Sequence, residues 1–261
     1  MEQRRSPLAV AILNLVAFAG VIVVNALATT IPLGGKTPGE LSDAYPNLFV
    51  PAGITFSIWG LIYLLLVIFV VYALVLAIRG REEGFSGRVG VLFLVTCLAN
   101  MGWIFAWQYR VLPLSLAFML VLLAALIMLY LRLDIGLGNA GKAERFIVHL
   151  PFSVYLGWIS VATIANITAL LVAYKWNRFG AGEQAWTVVV MLVAIALGIV
   201  FSVRRKDIFY ALVIDWAMLG IYLKRSADSA VPAQLVTGTA LFGIAVLTIG
   251  TVVQVFRRKI Y

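Results

Sequence analysis

GITFSIWGLIYLLLVIFVVYALVLAI, residues 53–78, runs through 26 positions without a charged side chain. A helix rises about 1.5 Å per residue and a bilayer's hydrocarbon core is about 30 Å thick, so roughly 20 apolar residues suffice to cross it. This stretch reads as a membrane-spanning helix. Working outward from it, similar windows fall at about 8–30, 89–108, 114–131, 147–174, 186–203, 208–223 and 235–256. The window 208–223 is the shortest and carries Asp215 near its middle.

The whole chain agrees with that reading. It is 63% hydrophobic and 12% charged, whereas a soluble domain is roughly half apolar and a quarter charged. The expected fold is all-α: a polytopic transmembrane bundle of about eight helices. The net charge of +9 does not point to nucleic acid, because the basic residues sit in short clusters between apolar windows. With eight helices, Arg4, Arg5, Arg79, Arg81, Arg88, Arg132, Lys142, Arg145, Arg204, Arg205, Lys206, Arg257, Arg258 and Lys259 share one side. Only Lys36, Arg110, Lys175, Arg178, Lys224 and Arg225 share the other. The positive-inside rule then places both termini in the cytoplasm of a multi-pass inner-membrane protein. The opening MEQRRSPLAVAILNLVAFAG resembles a signal peptide, but its apolar run is long and lacks a small-residue cleavage site, so it reads as a retained helix. Cys97 is the single cysteine, and one thiol builds neither a disulfide frame nor a thiolate metal site.

Short connections make sequential helices antiparallel neighbours. The exception is IPLGGKTPGELSDAYPNLFVPA, residues 31–52, whose four prolines and paired glycines forbid a continuous helix. A loop of that length reads either as a lid or as a slack connector. Within it, Thr37 and Glu40 have capping-box spacing and can start one helical turn.

Polar and aromatic residues recur on three helices. Trp59 and Tyr63 lie one turn apart on the second, and Asn100, Trp103 and Trp107 share a face of the third. On the fifth, Trp158 and Asn166 lie two turns apart. Counting rise from the helix ends on the Lys36 side puts Trp103 about 8 Å, Trp59 about 9 Å, Asn100 and Asn166 about 12 Å and Trp158 about 24 Å deep. Trp107, Trp176 and Trp186 stand at window ends, where indoles favour the headgroup belt, and Trp59 and Trp103 are open to the same reading. The amides read either as pocket groups or as interhelical hydrogen-bond partners. Asp215 is a candidate proton site, since an ionised carboxylate within a bilayer is costly; a shifted helix that brings it to the surface is the alternative. His149 reads as an interfacial packing residue, and no metal-ligating cluster is expected.

Together these residues resemble the TspO/MBR family, the tryptophan-rich sensory or translocator proteins. FVPAGITFSIWGLIY is similar to the family's second helix through Pro51, Trp59, Gly60 and Tyr63. LANMGWIFAWQY matches the Asn-x-x-Trp segment of its third through Asn100 and Trp103. LPFSVYLGWISVATIANIT resembles its fifth through Tyr155, Trp158 and Asn166. The likeness covers about residues 45–178. It implies a TspO-like five-helix bundle over 1–180, with three additional helices over 181–261. By that resemblance Pro51, Trp59, Tyr63, Asn100, Trp103, Trp158 and Asn166 line a pocket for a porphyrin, another tetrapyrrole or a sterol-like lipid, and 31–52 is its lid. The expected role is a non-enzymatic receptor or carrier that needs no cofactor, has a hydrophobic small molecule and the lipid bilayer as partners, and is a candidate homodimer. A proton-coupled transporter working through Asp215 is the competing expectation.

Overall fold

The computed structural model describes residues 7–31, 33–81, 84–138, 140–228 and 233–257. Arg4, Arg5, Arg258 and Lys259, four of the residues behind the expected topology, lie outside them. Eight long helices are present among the described residues: α1 (Pro7–Thr30), α2 (Ile58–Ile78), α3 (Gly84–Gln108), α4 (Leu112–Arg132), α5 (Leu150–Ala173), α6 (Glu183–Arg205), α7 (Ile208–Ala227) and α8 (Gln234–Phe256). Seven of them are long and apolar enough to cross a membrane. The eighth is α7, whose Asp215, Lys224 and Arg225 lower its hydropathy; its 20 residues still reach about 30 Å.

The protein is a polytopic helical membrane protein, and α2 shows why. Ile58, Ile62, Leu66, Phe69 and Val70 are buried while Leu61, Leu64, Ile68, Val71 and Val75 are exposed. Both sets recur at helical spacing and both are apolar, so one stripe meets the core and the other meets lipid. In water the outer stripe would be an aggregation surface.

The first five helices close a ring in the order α1, α2, α5, α4, α3. The short link after α2 does not make α2 and α3 backbone neighbours, contrary to the expectation from loop length. They meet through bulky rings instead: Phe69 lies 5.3 Å from Phe93, and Tyr72 stacks 5.9 Å from Phe85. Helices α6, α7 and α8 pack on one another and join the ring chiefly through α7 against α5. That contact is close because residue 157 has no side chain; a Cβ there would sit 3.0 Å from Val213. Asp207, fully buried before α7, ties three helices. Its carboxylate accepts from the Tyr130 and Ser153 hydroxyls and caps the Phe209 and Tyr210 amides.

Candidate functional site

Residues 33–57, which lead into α2, follow a defined path. Thr37 caps a short helix, Pro38–Asp43, and both capping-box bonds form: the Thr37 amide donates to Glu40 Oε2 at 2.7 Å, and the Glu40 amide donates to Thr37 Oγ1 at 3.3 Å. The Thr37 amide, and then its hydroxyl, which also donates to Glu40 Oε2, hold the exposed Glu40 carboxyl below its ordinary range. Gln108 secures the loop's first half, accepting from the Gly34 amide and donating to the Ala28 carbonyl. Trp107, at a window end, is buried: its indole N–H donates to the Pro38 carbonyl at 3.2 Å and its ring packs on Tyr45. Here the loop, rather than the headgroup region, receives the indole.

Residues 46–57 then descend beside α5. Pro46 and Asn47 lie near Thr168 and Leu171, whereas Phe56 meets Trp158 edge-on at 6.0 Å. Helix α2 therefore begins well below the end of α5. This corrects the depths inferred from rise alone: Trp59 and Trp158, expected about 15 Å apart in depth, have ring centroids 6.3 Å apart. The loop's descent moves the start of α2, which counting along each helix cannot register.

Trp59 is the hub. It stacks on Trp103 at 5.7 Å and on Tyr63 at 5.5 Å, and meets Tyr155 and Trp158 edge-on at 6.1 and 6.3 Å. Between this cluster and the loop lies a cavity of about 50 Å³. Of the seven residues read from the sequence, Pro51, Trp59, Trp103, Trp158 and Asn166 line it. The loop contributes Phe49 and Phe56, and α3 contributes Trp107. Asn166 accepts from the buried Ser115 hydroxyl at 3.0 Å. The indole N–H groups of Trp103 and Trp158 are buried and have no hydrogen-bond partner among the described residues.

Tyr63 and Asn100 are not in the cavity wall. Asn100 is fully buried, accepts from Asn25 Nδ2 at 2.8 Å and donates to the Tyr155 hydroxyl at 3.1 Å. This bridge ties α1, α3 and α5 directly beneath the aromatic hub, and it satisfies polar groups that lipid could not.

Helix α7 holds the descending part of the loop. The Ala52 amide donates to the Gly220 carbonyl and the Trp216 indole donates to the Thr55 carbonyl, both at 2.9 Å. Arg225 reaches the Val50 carbonyl, and Lys224 pairs with Asp43. Only glycine fits at 220, because a Cβ there would lie 2.0 Å from Thr55 Oγ1. Trp216 and Gly220 carry no sequence signal, since they act through a loop more than 160 residues away.

Asp215 faces α8. Its Oδ2 accepts from the Thr248 hydroxyl at 2.8 Å, and its buried Oδ1 has no partner among the described residues. His149 lies 3.6 Å from Glu144, which pairs with Arg88 at 2.6 Å. Among the described residues no three His, Cys, Asp or Glu side chains form a metal-binding group. Trp176 and Trp186 meet edge-on at 4.7 Å at the bundle's end.

Comparison with known proteins returns the family described as TSPO-like protein, matched over residues 11–253. The chain belongs to the TSPO-like protein family. The matched region runs from α1 into α8 and so includes the whole aromatic chamber and the helix that holds its loop. No curated protein and no solved structure matches the chain.

Proposed function

We propose that this TSPO-like membrane protein is a non-catalytic receptor or carrier that takes a flat hydrophobic molecule, a porphyrin or related tetrapyrrole before a sterol-like lipid, into the aromatic chamber beneath the 31–52 lid. The observation that carries the reading is the pair of buried indole donors on Trp103 and Trp158, without partners among the described residues, in a chamber walled by four tryptophans and closed by the loop. Leaving a buried donor unmet costs about 1–3 kcal/mol. A planar ligand with acceptor atoms recovers that cost and offers a face for the indoles to stack on. At about 50 Å³ the chamber is far below the roughly 300–1,000 Å³ of a ligand pocket, so entry requires the Trp59–Trp103 stack and the lid to part.

The test is a titration of purified protein with protoporphyrin followed by tryptophan fluorescence. Saturable quenching that weakens in the double variant Trp59→Phe, Trp158→Phe supports the reading. Absent or unaltered quenching refutes it. The proposed setting is the cell (inner) membrane with both termini cytoplasmic and with a homodimer as the assembly; no nucleic acid takes part.

A second reading, proton-coupled transport, is favoured by one observation: Asp215 adjoins the lid-holding Trp216 and keeps one carboxylate oxygen unpartnered among the described residues. Transport in proteoliposomes under a pH gradient tests it. Loss of proton coupling in Asp215→Asn supports that reading, and full retention of coupling removes it.

A further inference from the structure

An open volume larger than the aromatic chamber is present among the described residues. A cleft of about 590 Å³ lies at the other end of the ring, between α1, α2 and α3. It exists because the ring side chains that bridge α2 and α3 elsewhere give way to Ala73 and Ala77 on one wall and Ser86 and Gly87 on the other. A Cβ built on Gly87 meets nothing within 4 Å. Gly90, also in the wall, has φ 42° and ψ −129° inside α3. An L side chain rarely tolerates that backbone, so the local break in α3 depends on glycine.

Two polar groups mark the ends of this volume. Asn14 lines the cleft and is 8% exposed; its Nδ2 donates to the Gly90 carbonyl at 3.3 Å, while its Oδ1 is buried with no partner among the described residues. At the mouth stands the exposed Arg81, in no ion pair among the described residues; Glu82 and Glu83 lie outside them. Nearby Arg88 turns away to Glu144 and the Leu133 carbonyl. From Pro7 at the mouth to Asn14 the rise of α1 is about 10 Å.

The geometry points to a second ligand site, separate from the aromatic chamber and independent of the function proposed for it: a site for an amphiphile with an anionic group at one end, an apolar body, and an O–H or N–H donor about 10 Å along it. The anion meets the Arg81 guanidinium, whose planar fork suits carboxylate or phosphate. The body packs on Val10, Ala11, Ala73 and Ala77, and a turn of the Asn14 side chain brings its unmet Oδ1 to the donor. A free hydroxy-acid and an anionic bilayer lipid with a hydroxylated headgroup share this chemistry.

Equilibrium dialysis of the full chain in phosphatidylcholine nanodiscs against labelled ω-hydroxydecanoate, with protein-free nanodiscs subtracted, tests the site. Saturable binding is expected, with decanoate about fivefold weaker for want of the hydroxyl bond. Gly87→Leu fills the cleft and abolishes binding, whereas Gly87→Ala leaves it largely intact; unchanged thermal melting of both variants excludes misfolding as the cause. Asn14→Leu erases the preference for the hydroxylated probe, and Arg81→Gln weakens both probes alike. Competition in phosphatidylglycerol nanodiscs assigns the site to a bilayer lipid, and equal binding in both nanodiscs assigns it to a free amphiphile; either result keeps the shared chemistry. Non-saturable uptake, binding untouched in a folded Gly87→Leu protein, or a hydroxyl preference that survives in Asn14→Leu overturns the site.

Discussion

Gly220→Ala isolates the contact between α7 and the lid. A glycine inside a helix ordinarily costs about 0.5–1 kcal/mol relative to alanine, so on propensity alone the change strengthens α7. The added Cβ, however, would lie 2.0 Å from Thr55 Oγ1, 2.8 Å from its Cγ2 and 2.9 Å from its Cβ. Overpacking of that kind costs about 1–3 kcal/mol. The strain is relieved most readily by the lid, which sheds the Ala52–Gly220 and Trp216–Thr55 bonds and lifts from the chamber. Translated into an opening equilibrium, amide exchange at Ala52 and Thr55 accelerates roughly 5- to 150-fold, while amides in the middle of α7 exchange no faster than before. Hydrogen exchange read by mass spectrometry on peptides covering 46–57 and 208–227 separates the two. Adding Thr55→Ala removes the two nearest atoms and restores most of the protection, at no hydrogen-bonding cost, because Thr55 Oγ1 has no partner among the described residues. Unchanged exchange in the lid, or equal acceleration in lid and helix, refutes the claim that α7 holds the lid shut.

Asn100→Leu keeps the side chain's size but leaves the Tyr155 hydroxyl and one N–H of Asn25 without the Asn100 bonds, the other N–H staying on the Val21 carbonyl, at a cost of about 2 kcal/mol; a fall in Tm of about 4–8 °C is expected, and an unchanged Tm contradicts the bridging role. Glu40 has a folded-state pKa below its unfolded value, so its cap stabilises the lid above the ordinary carboxylate range and is lost as pH falls through the lowered value. The protection factor at residues 38–43, which corrects for the intrinsic slowing of amide exchange in acid, should fall on acidification in the wild type and stay flat with pH in Glu40→Gln. Asp207 is the opposite case: burial raises its pKa against the Ser153 and Tyr130 hydrogen bonds. Its contribution is full below the unfolded carboxylate pKa and is lost as pH rises through the folded one. Melting curves of wild type and Asp207→Asn should therefore differ by an amount that changes across that interval, and a pH-independent difference would argue against a titrating carboxyl.

The helices were legible because each depends on a local property, the run length of apolar residues, and the windows around 8–30, 53–78 and 235–256 each contain or lie within a long helix and its immediate cap. The aromatic hub was legible in part: Trp59, Trp103 and Trp158 carry helical spacing, and their rings do meet. Their relative depth was not, because the path of residues 46–57 down α5 depends on long-range contacts with Gly220 and Trp216. Asn100 illustrates a different limit. Its amide suits a ligand and a neighbouring helix equally well, and only the positions of Asn25 and Tyr155 decide where its hydrogen bonds go. Trp107 shares the face of Asn100 and Trp103, yet a window end suits an indole in lipid headgroups as well as one that holds a loop. The cleft at Gly87 left no trace in the pattern, since a void is made by side chains that are missing.

The central claim is that a flat ligand enters the chamber under the lid. Hydrogen exchange of the full chain in nanodiscs, with and without saturating protoporphyrin, reports on that chamber directly. Added protection over 37–56 and over the α5 segment around Val161–Asn166, with residues 84–90 at the far end unchanged, is the predicted footprint. Protection confined to lipid-facing helix surfaces, or none at all, would contradict it.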